Sequence, residues 1–371
     1  ESVFEENVIT VLKQHGWKDG VLRYPTERDL LDNWKGILYR NNNDIDRLGK
    51  YPLTDGEMAQ IIEQIETLRT PLALNSFVNG RTVSITRDNK EDVAHFGKEV
   101  SLYIYDRKEI AGGKSTYQIA QQPVYPAKNK MLNSRRGDLV LLINGMPLIH
   151  IELKKSGIPV SQATNQIEKY THEGVFTGLF RLVQIFVAMN PDDAVYFANP
   201  GVDKFNPSYY FHWADYNNEP ICGGQNPGKD EWKLFIGGTS GTAGLLSIPM
   251  AHQLIGFYTI ADSADGCLKV LRSYQYIAAN AISDVVRKCD WEQRPSMPGR
   301  PGGYVWHTTG SGKTMTSFKS AQLIADSHDA DKVVFLMDRI ELGTQSLKEY
   351  RSFADSETEV QGTENTGVLR D

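Results

Sequence analysis

Residues 137–157 read GDLVLLINGMPLIHIELKKSG, two apolar runs split by Asn144-Gly145 and bounded by charge. Aliphatic runs of this length around an Asn-Gly pair signal a β-hairpin of buried strands. Asp138 opens the first run, and Glu152 and Lys154 close the second. Two apart on a strand, Glu152 and Lys154 face the same side. Where Asp138 falls depends on the turn. A two-residue Asn-Gly turn leaves positions 138 and 152 one out of register and on opposite faces. A three-residue turn, with Ile143 opposite Pro147, or an equivalent bulge, sets them directly across from each other. The second arrangement is the one expected. Two carboxylates gathered in one place repel unless they share a hard cation, and Mg²⁺ takes one or two protein carboxylates and completes its shell with water and phosphate. Asp138 and Glu152 are thus candidate metal ligands. Lys154 is a candidate to neutralise charge on a phosphodiester undergoing cleavage.

The pattern alone is weak. With 46 acidic residues in 371, chance produces on the order of two D-x(9–20)-[DE]-x-K matches. Context narrows it. Arg135-Arg136 precede Asp138, with Lys128 and Lys130 nearby, either a phosphate-binding run or a solvated loop. Residues 160–172 read as a short amphipathic helix carrying Gln162, Gln166 and Tyr170 on one stripe. His150 shares the face of Glu152 and is expected to be a packed sheet residue rather than a ligand. The cluster Tyr209–Trp213 is expected in core or loop packing rather than in base stacking.

Further out, residues 1–16 form a helical pattern ending at Gly16, and a second runs from Glu57 to Thr67. From about 76 to 125 the period moves toward two, with a hairpin signal at Asn79-Gly80 in FVNGRTVSIT. Leu182–Met189 and Ala194–Phe197 read as strands, and residues 199–266 as loop-dominated. Leu268–Lys288 reads as a helix and WEQRPSMPGRPGG (291–303) as a connector. A strand at Tyr304–His307, a glycine turn, a helix at Thr314–Ala325, a strand at Lys332–Met337 and a helix at Glu341–Tyr350 then form the opening of a parallel α/β domain.

Between that strand and helix stands His307-Thr308-Thr309-Gly310-Ser311-Gly312-Lys313-Thr314. Glycines let backbone N–H groups surround phosphate oxygens, and the helix N-terminus favours the same anion. Lys313 adds charge at the β/γ-phosphates, and Thr314 offers a hydroxyl to Mg²⁺. Thr309, Gly310, Ser311, Gly312, Lys313 and Thr314 are therefore candidate ATP-binding residues. His307 occupies the usual first glycine, so TGSGKT resembles the helicase variant of the loop. Leu271-Arg272-Ser273-Tyr274-Gln275 resembles the Q-motif of superfamily 2 helicases, in which the Gln275 amide reads adenine. VVFLMDRIELGTQ resembles the segment that contacts DNA backbone there.

Composition sets limits. Lys+Arg 40 against Asp+Glu 46 gives −6, which excludes a wholesale polybasic coat and confines DNA contact to local patches. The longest aliphatic runs, Leu139–Ile143 and Val333–Met337, fall far short of the ~20 residues that span a bilayer, so no membrane association is expected. Cys222, Cys267 and Cys289 are widely spaced and odd in number. They read as reduced core residues of a cytoplasmic protein. The chain opens on Glu1 rather than Met, and no Walker-B strand or second motor lobe follows Met337. It is expected to be a fragment that binds ATP without turning it over alone.

With hairpin first and phosphate loop second, the chain resembles the restriction (R) subunit of type I restriction–modification enzymes. The likeness runs through ESVFEENVITVLKQHGW, GDLVLLINGMPLIHIELKKSG, NQIEKY, YFANP, LRSYQ, GGYVWHTTGSGKTMTSFK, VVFLMDR and GTENTGVLRD. It implies a PD-(D/E)xK nuclease-like mixed sheet flanked by helices over residues 1–260. The first part of a RecA-like lobe would follow over 261–371. Asp138, Glu152 and Lys154 match the D, E and K, while Gly137 stands where the family has proline. The family's QxxxY falls on Gln166 and Tyr170, near the nuclease site, and Glu5 matches an acidic residue that lines it. The resemblance further implies Mg²⁺, ATP, double-stranded DNA, translocation, and assembly with methyltransferase and specificity subunits. The rivals are another nuclease–helicase fusion, in type III restriction or DNA repair, and a nucleotide-binding module whose hairpin is structural.

Overall fold

The computed structural model describes residues 2–110, 113–126, 135–224, 230–289, 302–354 and 360–362. Lys128, Lys130 and most of the 291–303 connector lie outside them. The chain divides into two units, Glu1–Thr259 with Cys267–Val270, and Ile260–Gly266 with Leu271–Asp371.

The first unit contains α1 (Ser2–Gln14), β1 (Val21–Arg23), α2 (Glu27–Asn41), α3 (Asp55–Thr67), α4 (Pro71–Asn79), β2 (Thr82–Thr86), β3 (Glu99–Tyr103), β4 (Tyr117–Gln121), β5 (Leu139–Ile143), β6 (Met146–Leu153), α5 (Val160–His172), β7 (Ile185–Met189), β8 (Ala194–Ala198), α6 (Glu231–Gly237) and α7 (Met250–Gly256). Its sheet has the order β1-β4-β5-β6-β7-β8. β4, β5 and β6 are antiparallel neighbours, β7 lies parallel to β6 through the α5 crossover, and β1 lies parallel to β4. Every residue of β4 to β8 is buried. Both faces of these strands are covered, which is why they read as apolar runs rather than alternating ones.

The hairpin turn is Asn144-Gly145, with φ of 52° and 84° and Ile143 opposite Met146. The three-residue turn does not form. The register instead shifts between Leu141 and Leu142, where Leu142 pairs with Pro147 but Leu141 pairs with Ile149, leaving Leu148 as the extra residue of a bulge. Leu139 then faces Ile151, and the next pair outward is 138 and 152.

Several expectations are corrected. Asn79-Gly80 is not a hairpin turn: Asn79 ends α4, a helix with Thr70 as N-cap and Pro71 in its first turn, and Gly80 is its C-cap. β2 pairs with β3 instead, across an intervening loop. α2, whose capping box joins Thr26 and Asp29, lies where no element was expected. The stretch 199–266 contains α6, α7 and β9 (Thr259–Asp262). Residues 267–270 are strand β10, and the expected long helix begins only at Ser273 as α8 (Ser273–Lys288). Cys222 is buried, while Cys267 and Cys289 are only half-buried.

The second unit contains α8, α9 (Lys313–Asp326) and α10 (Ile340–Phe353). The strands expected at 304–307 and 332–337 do not form. A strand needs a neighbour for its backbone N–H and C=O groups, and no described residue supplies one: Tyr304, Trp306 and Leu336 are 90%, 88% and 90% exposed.

Candidate active site

The bulge decides what meets at the end of the hairpin. Asp138 accepts the Leu153 backbone N–H on Oδ2 at 2.6 Å. Lys154 Nζ lies 3.2 Å from Glu152 Oε1 and donates to the Leu153 carbonyl at 2.9 Å. His150 Nε2 lies 3.4 Å from Glu152 Oε2. Asp138, Glu152 and Lys154 therefore converge, with Glu152 only 1% exposed. Burial, and then the charge of Glu152, push the Asp138 carboxyl up to about 7, against the opposing pull of the Leu153 N–H and Lys154. Burial pushes His150 down to about 4, so its ring is neutral. It packs within the sheet, as expected.

Helix α5 borders this cluster because its apolar side is fixed elsewhere. Val160, Ala163 and Ile167 pack with Phe186, Ala188 and Phe197. The adjoining flank, with Tyr170 itself buried, then turns Gln166 and Tyr170 toward the hairpin entry. Gln166 Nε2 donates to Tyr170 Oη at 2.6 Å, and Tyr170 Oη donates to the Arg136 carbonyl at 3.0 Å. Burial, reinforced by the charge of Glu152, pushes the Tyr170 phenol up to about 12. Arg135 is paired with Glu173 at 2.9 Å.

Glu5 is also near. It is 3% exposed on α1 and accepts the Gln121 and Gln122 side-chain amides at 2.7 and 3.1 Å. The backbone N–H of the same Gln122 donates to the Asp138 carbonyl at 2.7 Å. Tyr125, which no sequence feature singled out, places its Oη 2.9 Å from His150 Nδ1.

Among the described residues no three His, Cys, Asp or Glu side chains form a ready-made metal cage. The donor set nonetheless fits Mg²⁺, which draws its remaining ligands from water and phosphate. Two buried acids, one of them pushed up to about 7 by burial and then by its neighbour's charge, are relieved by a cation between them.

In the second unit the phosphate loop has the backbone its glycines permit. Gly310 and Gly312 take φ of 76° and 83°, and α9 starts at Lys313 with Thr314 next. Thr309 is exposed in the turn. Lys313 Nζ donates to the Thr308 carbonyl at 3.0 Å, and His307 Nδ1 lies 2.9 Å from Ser311 Oγ. Gln275 accepts the Arg272 N–H at 2.9 Å and donates to the Gly312 carbonyl at 3.2 Å, so its amide braces the loop. Tyr274 Oη donates to the Ser311 carbonyl at 2.9 Å. Backbone N–H groups at a 14-residue helix start, with an ammonium alongside, fit a nucleotide phosphate.

Residues 1–205 match the family model described as type I restriction enzyme R protein N terminus. The chain belongs to this family. Residues 274–371 match the SWI2/SNF2 ATPase model. Over its whole length the chain is 31% identical to a type I restriction enzyme endonuclease subunit of Staphylococcus saprophyticus and 32% identical to one of Staphylococcus aureus, covering 35% of each. An endonuclease subunit of Escherichia coli is 35% identical over 217 residues, 57% of this chain and 62% of that protein. The chain thus spans about a third of the length of the staphylococcal relatives, and the matched R-protein family model covers Asp138, Glu152 and Lys154. Among the described residues no helix is long and apolar enough to cross a membrane.

Proposed function

We propose that residues 1–260 are the Mg²⁺-dependent DNA-cleaving domain of a type I restriction subunit, and residues 261–371 the opening part of a RecA-like, ATP-binding lobe. The observation that carries this reading is the convergence of Asp138, Glu152 and Lys154 at one hairpin end. The element order supports a PD-(D/E)xK core: α1, then antiparallel β4-β5-β6, then α5 crossing to β7 parallel to β6. Asp138 and Glu152 would hold the ion, and Tyr170 with Gln166 would fix the chain leading into Asp138. When bound, Mg²⁺ supplies charge stabilisation at the scissile phosphate and lowers the pKa of a coordinated water. Lys154 sets a fixed positive charge against the negative charge that builds on the phosphate during cleavage. Leu153 N–H holds Asp138 in place, so little reorganisation is left to the reaction.

In the second domain Thr309–Lys313 would wrap the ATP phosphates, with Lys313 leaving the Thr308 carbonyl for them and Thr314 facing the metal. Gln275 would couple the loop to the nucleotide base. The partners of this reading are double-stranded DNA and the methyltransferase and specificity subunits, and the compartment is the cytoplasm. Asp138→Ala, Glu152→Ala and Lys154→Ala in the full-length, assembled enzyme should abolish DNA cleavage while ATP hydrolysis and translocation continue. Cleavage at the normal rate in any of the three would overturn the nuclease assignment.

A further inference from the structure

His150 has no role in the chemistry above, yet it is fully buried two residues from Glu152, on the same face of β6. Tyr170, Phe176 and Phe186 meet its ring edge-on. Nδ1 is hydrogen-bonded to Tyr125 Oη at 2.9 Å, while Nε2 approaches Glu152 Oε2 at 3.4 Å, an electrostatic contact outside hydrogen-bond geometry. That pairing decides the tautomer. A lone pair on Nε2 would point at a carboxylate oxygen and be repelled, whereas an N–H there is attracted. Nε2 therefore carries the hydrogen, and Nδ1 accepts from Tyr125 Oη. Tyr125 is itself buried, and burial raises its phenol well above the usual range, so it keeps the proton it donates.

A second observation concerns Gly137, the residue before Asp138. A Cβ there would lie 2.5 Å from Tyr125 Oη and 2.9 Å from His150 Cε1. The Tyr125–His150 pair occupies the space that any side chain at 137 would claim.

We infer that Tyr125 and His150 form a buried hydrogen-bonded brace that aims the Glu152 carboxylate at a divalent cation, with Gly137 making room for it. His150 is a positioning residue, and the inference rests on the nuclease reading above. Partners that orient a ligating carboxylate typically account for ten- to a hundred-fold in metal affinity.

The test is Mn²⁺ binding to the full-length assembled enzyme without nucleotide, read from the electron paramagnetic resonance signal of the free ion. Glu152→Gln serves as the blank, and DNA cleavage and ATP hydrolysis are measured alongside. His150→Phe keeps the volume without a donor and should weaken Mn²⁺ roughly ten- to a hundred-fold. Its cleavage should recover toward wild type as metal is raised, and its ATP hydrolysis should be unchanged. His150→Gln, which retains an N–H donor, should stay within a few-fold of wild type. Tyr125→Phe and Gly137→Ala should weaken Mn²⁺ in the same direction. Wild-type Mn²⁺ affinity in both His150→Phe and Tyr125→Phe, with Glu152→Gln unable to bind, would overturn the brace and leave the nuclease reading intact. An equal loss in His150→Gln and His150→Phe would also overturn it. Normal Mn²⁺ binding and cleavage by Glu152→Gln would overturn the nuclease reading itself.

Discussion

The Asp138 carboxylate accepts the Leu153 backbone N–H at 2.6 Å, one residue past its register neighbour Glu152. That contact exists because Leu148 adds a residue to one side of the hairpin while the Asn144-Gly145 turn stays tight. Gly145 holds φ of 84° beneath α2, where a Cβ would lie 2.9 Å from Trp34 Cα. Gly157 has nearly the same φ, 82°, with open space around it. Gly157→Ala should therefore cost only backbone strain, on the order of 1 kcal/mol. Gly145→Ala should cost about 1–3 kcal/mol more, because the neighbouring helix backbone must shift. Urea titration of the two variants measures the difference, and equal stabilities would contradict the role given to the turn.

The proton on Asp138 makes the metal site pH-dependent. Burial and Glu152 raise the folded-state value to about 7 from an ordinary 3.8. Between those values the folded state keeps a proton that the unfolded chain releases, so this group destabilises the fold progressively as pH rises through the window. Below about pH 4 both states are protonated and the penalty vanishes. Asp138→Asn should thus be more stable than the metal-free wild type near pH 8, with the gap closing toward about pH 4. Metal and proton compete for the same oxygens, so Mn²⁺ affinity should fall about tenfold per pH unit below about 7 and level off above about 8. Titration calorimetry in buffers of different ionisation enthalpy should find proton release approaching one per bound ion below about pH 6 and vanishing above about pH 8. Release independent of pH would remove Asp138 as the titrating ligand.

Much of the site was legible because burial on both faces writes strands as apolar runs, and the charged residues at their ends then stand out. The bulge was not legible in detail, since Leu148 looks like any other residue of its run and only the pairing reveals it as the extra one. Tyr125 escaped notice for a related reason: it lies in a loop, and its meaning depends on His150, which the fold brings to it. At Asn79-Gly80 a strong local turn signal outweighed Thr70-Pro71, the capping pair that starts a helix. Residues 304–307 and 332–337 have strand-like composition but no neighbour to pair with among the described residues. For them periodicity alone could not decide the backbone.

Tyr170 offers a test of how α5 serves the site. Its hydroxyl donates to the Arg136 carbonyl at 3.0 Å and receives Gln166 at 2.6 Å, so Gln166 acts on the hairpin entry through Tyr170. Tyr170→Phe should lose about 1 kcal/mol of stability. It should also slow cleavage by roughly tenfold through misplacement of the segment before Asp138. Gln166→Ala keeps the bond to Arg136 and should slow cleavage less. Single-turnover cleavage rates rank the two variants, and a larger defect in Gln166→Ala would show that Gln166 acts independently of Tyr170.

The phosphate loop yields a prediction confined to the second unit. Gln275 bridges the Arg272 N–H and the Gly312 carbonyl, while Gly312 sits at φ of 83° where a Cβ would collide with that same amide. Loop shape therefore depends jointly on a residue without a side chain and a residue whose side chain fills the vacated space. Gly312→Ala should weaken ATP binding at least as much as Lys313→Ala, each by tenfold or more, because one loses the cradle and the other its charge. Gln275→Ala leaves both elements present but unbraced, and should weaken binding by a few-fold. Mn²⁺ affinity without nucleotide should be unchanged in all three. Binding of a fluorescent ATP analogue to the full-length enzyme measures the order. If Gly312→Ala bound the analogue as tightly as wild type, the backbone cradle would not be what holds the phosphates, and Lys313 alone would have to account for them.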